Sequence, residues 1–163
     1  MIKVAIITVS NKGARGERED LSGKVLEELM EQIEAKVVWY AIVPDKKNSI
    51  KTALIEAIET YRADLVLTTG GTGLSKSDVT PEATRAIIEQ EVPGISEIIR
   101  IQSFKKSPHA ILSRAIAGTR GSSLIINLPG SPRGVRESLE VVLEALPHGI
   151  AILQGKASEC GKE

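Results

Sequence analysis

At 163 residues the chain is long enough for one domain with a real core and short for two. Hydrophobic residues reach 42% but fall in short runs, so neither a membrane span nor a leader is expected and a cytoplasmic protein is. Twenty-one basic residues balance 21 acidic ones with no basic block, and the aromatics number four (Trp39, Tyr40, Tyr61, Phe104), which argues against a nucleic-acid binder and for a small-molecule site.

Residues 1–9 form a near-continuous run rich in Ile and Val, the pattern of a parallel strand covered on both faces. A polar loop, 10–20, follows. Residues 21–35 place Leu21, Val25, Leu26, Leu29, Met30 and Ile33 at helical spacing, with Asp20 or Ser22 as cap. A second strand over 36–43 is closed by Pro44-Asp45, and 49–61 is helical with Ile50, Ala53, Leu54, Ala57 and Ile58 on one face. Residues 64–68 predict a third strand running into Thr-Gly-Gly-Thr-Gly at 69–73. Pro81 suits the first turn of a helix over 82–91, with Thr80 capping it.

That helix stops at Val92-Pro93-Gly94. Another is predicted over 95–104 and a short one over 108–117. A fourth strand, 123–128, enters Pro129-Gly130-Ser131-Pro132; 134–146 is the closing helix and 149–153 a weakly specified end piece. Alternating strands and helices give an α/β class with a mainly parallel sheet. One domain is expected over 1–155, with a polar tail over 156–163. The lone Cys160 lies in that tail, so neither an intrachain disulfide nor a cysteine metal site is expected.

Ligands of open parallel sheets bind outside the carboxyl ends of the strands. The loops there, 10–23, 44–49, 69–81 and 129–133, are also the chemically unusual segments. In the richest, Gly70, Gly71 and Gly73 let backbone amides approach a ligand, and Thr69 and Thr72 add hydroxyl donors. A helix beginning near Pro81 adds partial positive charge. A plain tight turn is the bland alternative, and neither the P-loop nor the dinucleotide glycine pattern is present.

Asp78 beside an anion cradle would repel phosphate unless it held Mg²⁺; otherwise it is a turn residue. Asp45, at another strand end, is an ordinary turn residue alone and a credible metal ligand or acid–base group as its pair. Pro129, Gly130 and Ser131 offer a rigid turn with one hydroxyl, and Lys12, Arg15 and Arg18 either meet phosphates or are simply solvated. His109 and His148 share no spacing with other ligand types and are taken as structural. No serine sits in a Gly-x-Ser-x-Gly elbow.

Six segments carry a resemblance, in order along the chain: 7–10, 16–23 (Gly-Glu-Arg-Glu-Asp-Leu-Ser-Gly), 43–45 (Val-Pro-Asp), 65–74 with 78–84 (Asp-Val-Thr-Pro-Glu-Ala-Thr), 111–115 (Ile-Leu-Ser-Arg-Ala) and 127–132 (Asn-Leu-Pro-Gly-Ser-Pro). On these the chain resembles the molybdopterin adenylyltransferase family, MogA/MoaB type, related to the G domains of molybdenum-cofactor fusion proteins. The resemblance implies a Rossmann-like three-layer sandwich and a homotrimer. It also implies that molybdopterin's phosphate attacks the α-phosphate of Mg-ATP, pyrophosphate leaves, and the adenylylated pterin passes to a metal-insertion enzyme.

The family's two functional aspartates fall on Asp45 and Asp78, as catalytic residues and Mg²⁺ ligands. Its pterin- and nucleotide-binding positions fall on Ser10, Asp20, Ser22, Gly23, Thr69, Gly70, Gly71, Thr72, Gly73, Thr80, Glu82, Ser113, Arg114, Pro129, Gly130 and Ser131. Asn11, Lys46 and Lys76-Ser77 depart from the common pattern. Joining two phosphorylated substrates calls for charge neutralisation and in-line positioning, which amide cradles and a carboxylate-held Mg²⁺ supply. The rival is a non-catalytic molybdopterin-binding or scaffold paralogue. A binder of polyanions gains nothing from two adjacent acids, which favours the enzyme. Apolar residues between 87 and 101 exceed what a surface helix needs, which places a subunit contact over 92–101.

Overall fold

The structure, a computed structural model, describes residues 1–157; most of the expected polar tail, with Cys160, lies outside the described residues. In chain order the elements are β1 (Ile2–Val9), α1 (Asn11–Ala14), α2 (Leu21–Glu31), β2 (Ala35–Val43), α3 (Lys47–Glu59), β3 (Leu65–Thr69), α4 (Thr80–Arg85), β4 (Gln90–Glu91), α5 (Pro93–Phe104), a 3₁₀ turn (Pro108–Leu112), β5 (Ala117–Arg120), β6 (Ser123–Leu128), α6 (Pro132–Val142), a second 3₁₀ turn (Leu143–Ala145) and α7 (Leu146–Leu153). The six strands form one sheet in the order β2-β1-β3-β6-β5-β4. β1 pairs in parallel with β2 and β3, and β3 with β6, whereas β5 and β4 run antiparallel at the far edge.

Successive side chains of a strand point to opposite faces, and here both faces are dry. Val4 and Ile6 pack with Leu26, Leu29 and Met30 of α2 and with Val135 and Leu139 of α6. Ala5 and Ile7 pack on the other face with Ile50, Ala53, Leu54 and Ala57 of α3. Hence the three layers. Each fully buried Leu or Ile contributes roughly 1.5–3 kcal/mol, so the apolar periodicity of α2 and α3 stabilises them more than propensity does. The chain leaves β1 toward β2 on one side and returns to β3 on the other. The crevice at their carboxyl ends is a topological switch point, where such sheets bind ligands.

The structure corrects several boundaries. α4 stops at Arg85 rather than 91, and Gln90 and Glu91 form an edge strand with β5. Only Pro108–Leu112 of the expected 108–117 helix is helical, because 117 already belongs to a strand. β5, Ala-Gly-Thr-Arg, lacks the large alternating side chains that mark a strand. It forms because Gly118 admits close approach: a Cβ there would stand 2.7 Å from the Gln90 carbonyl. Asn11–Ala14 adds a helical turn inside the expected loop, capped by Ser10, whose Oγ accepts from the Gly13 amide at 3.0 Å. The end piece is a true helix, α7. Asp20 caps α2 as expected, but α4 has Val79 as its N-cap with no side-chain cap bond; Thr80 is its first helical residue.

Candidate active site

A cleft of about 610 Å³ opens at the carboxyl ends of β1 and β3, between the first turns of α2 and α6. It is lined by Ser10, Asp20, Ser22, Asp45, Thr69, Gly70, Gly71, Gly130 and Ser131 among the expected binding residues and by Arg18, though not Lys12 or Arg15, among the three loop cations, together with Thr8 and Glu19. Its floor is the glycine loop after β3. Gly70 and Gly71 both take positive φ, +97° and +67°. The Gly70 amide donates to the Leu128 carbonyl at 3.1 Å. Thr80 is fully buried and shapes this loop rather than facing a ligand: its hydroxyl donates to the Gly70 carbonyl at 2.9 Å and its amide to the Gly71 carbonyl at 3.1 Å.

The other loops are fastened to the same floor. Ser22 Oγ donates to the Gly130 carbonyl at 2.7 Å, and Thr69 Oγ1 to the Pro129 carbonyl at 2.6 Å. A Cβ on Gly130 would lie 3.3 Å from the Gly70 Cα, so two backbones meet almost directly. Ser131 caps α6, accepting from the Gly134 amide at 3.0 Å. Asp20 accepts from the Gly23 amide at 2.9 Å and from the hydroxyls of Thr8 and Tyr40. One carboxylate thus ties β1, β2 and α2 at the cleft wall. Thr8 and Tyr40 escaped the sequence reading; a threonine within an apolar strand was the available signal. Gly23 is buried beneath Tyr40, where a Cβ would collide with the phenol.

Asp45 leaves β2 and is held by a reciprocal pair of bonds. The Asn11 amide donates to Asp45 Oδ2 at 3.0 Å, and the Asp45 amide to Asn11 Oδ1 at 2.9 Å. Its other oxygen lies 3.4 Å from where a Cβ on Gly71 would stand. Asp78 accepts from the Ser75 amide at 3.0 Å, and a Cβ on Gly73 would stand 2.8 Å from its Oδ2. The two carboxylates therefore flank one short glycine segment. Burial raises the Asp45 carboxyl above its ordinary value; the Asn11 amide opposes this, and the Asp78 charge adds to it.

Thr72, Gly73, Asp78, Thr80, Glu82, Ser113, Arg114 and Pro129 do not line the cleft. Ser113 and Pro129 instead face a separate cavity of about 50 Å³ between α5 and α6. Asn127 is buried and donates to Thr68 and Thr84 hydroxyls at 3.0 and 2.9 Å, which fixes β6 to β3 and α4 just below the loops. Among the described residues no cluster of three or more His, Cys, Asp or Glu suits a metal; Asp45 and Asp78 stand as a pair.

A glycine loop, two helix N-termini and Asp45 around a cleft at a parallel sheet's switch point place the chain among the α/β proteins whose small-molecule cleft lies at the strand ends. The family model described as "Probable molybdopterin binding domain" matches residues 5–148, and the chain belongs to that family. It is 42% identical over 156 residues to a molybdopterin adenylyltransferase of Helicobacter pylori, spanning 94% of this chain and 89% of that protein. The solved structure of the molybdopterin biosynthesis enzyme MoaB from Thermus thermophilus matches with a TM-score of 0.91 at 47% identity, over 98% of this chain and 100% of that one. The tungsten cofactor synthesizing protein MoaB from Pyrococcus furiosus matches at 0.86 and 37% identity, over 97% and 98%.

Proposed function

We propose that the chain is a molybdopterin adenylyltransferase, moving AMP from ATP to the pterin's terminal phosphate. The observation that carries this is the convergence of Asp45 and Asp78 on the glycine loop. Two acids beside an anion cradle cost binding energy toward polyanions unless a cation joins them. Their donor set, two carboxylates flanking one loop, is the hard oxygen chemistry that fits Mg²⁺. When bound there, the ion would neutralise charge on the transferring phosphoryl group.

The protein's own part is positional. The Gly71 amide and the hydroxyls of Ser10 and Ser131, whose oxygens accept cap bonds but whose O–H groups have no acceptor among the described residues, receive phosphate oxygens at the rim. The Gly70 amide and the Ser22 hydroxyl hold the loops through the Leu128 and Gly130 carbonyls. Asp20 keeps the α2 terminus, with its partial positive charge, against the cleft. A phosphate oxygen of the pterin so aligned forms the new P–O bond to the α-phosphorus of ATP. The bond to the bridging oxygen breaks, and pyrophosphate carries the electron pair away.

The functional assembly in this reading is a cytoplasmic homotrimer that hands its product to a metal-insertion enzyme. Ile98, Ile101 and Phe104 of α5, with Ile111 and Leu112 of the 3₁₀ turn, form an exposed apolar face that a subunit contact would cover. The direct test supplies purified protein with molybdopterin and Mg-ATP. Stoichiometric pyrophosphate and an AMP-linked pterin are the expected products. Tight pterin binding with neither product would favour the binding-only paralogue instead.

A further inference from the structure

Arg114 lies between the first 3₁₀ turn and β5, and its side chain turns onto residues 73–82 rather than into the cleft. Nε donates to the Gly73 carbonyl at 2.8 Å, Nη2 to the Asp78 carbonyl at 2.7 Å, and Nη1 to the Glu82 carboxylate. Its backbone amide donates to the Thr72 carbonyl at 2.8 Å. All three guanidinium nitrogens are engaged, and their acceptors bracket the loop that carries Asp78.

Glu82 completes the unit from the first turn of α4. One of its oxygens takes Arg114; the other is buried without a hydrogen-bond partner. Burial pushes this carboxyl up, but the Arg114 hydrogen bond and charge, with a backbone amide and Lys47 helping, leave it below its ordinary value. Glu82 is therefore ionised and bound to Arg114. Three of the five N–H donors of Arg114 are committed to this one loop and to α4, so the protein's own backbone and carboxylate fix the guanidinium in place.

The geometry points to Arg114 and Glu82 as a positioning pair that holds the 73–78 loop so that Asp78 stays beside Asp45, and not as substrate ligands. This rests on the adenylyl-transfer reading for its kinetic consequences, though not for its structural one. Without the clamp, Asp78 keeps only its local bonds to Ser75, at 3.0 and 2.9 Å, so the loop survives but drifts. A displacement of about 1 Å at a reacting group costs roughly 100-fold in rate. Lysine does not replace the fork, because one ammonium cannot span three fixed acceptors.

The test uses the full chain with Arg114→Lys, Arg114→Ala and Glu82→Gln, each alone and with Asp78→Asn. The arginine variants should lose roughly 30- to 100-fold in kcat, with ATP KM and molybdopterin Kd within about threefold of wild type. In the Asp78→Asn background the further loss should be under about threefold, since the residue being positioned is already disabled. Amide exchange over 72–78 should quicken about tenfold or more in Arg114→Lys and Glu82→Gln while the global melting point moves little. That arm needs no turnover. If the wild-type protein makes no adenylylated pterin, it still decides whether the pair holds the loop. Fully multiplicative losses with Asp78→Asn, or a tenfold loss of ATP or pterin affinity, would make Arg114 a substrate ligand and overturn the proposal. Unchanged exchange over 72–78 would overturn it equally.

Discussion

Gly70→Ala probes whether the glycine loop is set by close backbone approach. Gly70 has φ +97°, and a Cβ there would stand 2.5 Å from the Val9 carbonyl oxygen. That oxygen belongs to β1, which is paired on both sides and cannot easily recede. Gly16 is the internal control: its φ is +71°, but nothing lies within 4 Å of its Cβ position. Backbone strain alone costs about 1–2 kcal/mol at either site. Steric overlap adds about 1–3 kcal/mol at Gly70 only. Gly70→Ala should therefore cost about 3–4 kcal/mol and Gly16→Ala about 1, which in a domain of this size separates their melting points by roughly 6–10 °C. Urea unfolding followed by Trp39 fluorescence measures both, with slopes expected to match wild type. Equal costs for the two variants would refute the close-approach argument and leave only conformational strain.

Other consequences follow from named contacts. Asp45 titrates above its ordinary 3.8 in the folded state, so the native protein binds more protons than the unfolded chain between 3.8 and the raised value. Stability then falls as pH rises through that window. Asp45→Asn should melt higher than wild type at neutral pH, with the gain vanishing below about pH 4; a destabilised variant at pH 7 would contradict the sign. Asn127→Ala removes the partner of the buried Thr68 and Thr84 hydroxyls and should cost about 2–4 kcal/mol in urea unfolding. Ile101→Glu with Ile111→Glu should convert a sedimenting trimer to monomer while each protomer stays folded; a wild-type monomer would refute the assembly.

What the sequence discloses here follows from how each signal is encoded. β1, β3 and β6 are runs of Ile, Val and Leu because both faces are buried, and the loops after them stand out by their glycines, prolines and acids. The antiparallel edge is silent, since β5 is held by a glycine's missing side chain and by pairing to residues far along the chain. α7 is similarly muted by Pro147 and Gly149 within an apolar stretch too short to show a period. In the site, composition identifies the cradle but not the direction in which a polar side chain points. Thr80, Glu82 and Arg114 are expected as binding positions from the family resemblance, yet their bonds go to the 70–82 segment itself. Arg114 reaches Asp78 across 36 residues, a pairing no local pattern announces.

The most direct measurement compares pyrophosphate release and molybdopterin affinity for wild type, Asp78→Asn and Asp45→Asn under saturating Mg-ATP. If the carboxylates act on the transferring phosphate, pterin affinity stays within about threefold of wild type and rates fall by about two to three orders of magnitude, the loss typical of one electrostatic stabiliser. Wild-type turnover by both variants would contradict that role and reduce Asp45 and Asp78 to turn residues.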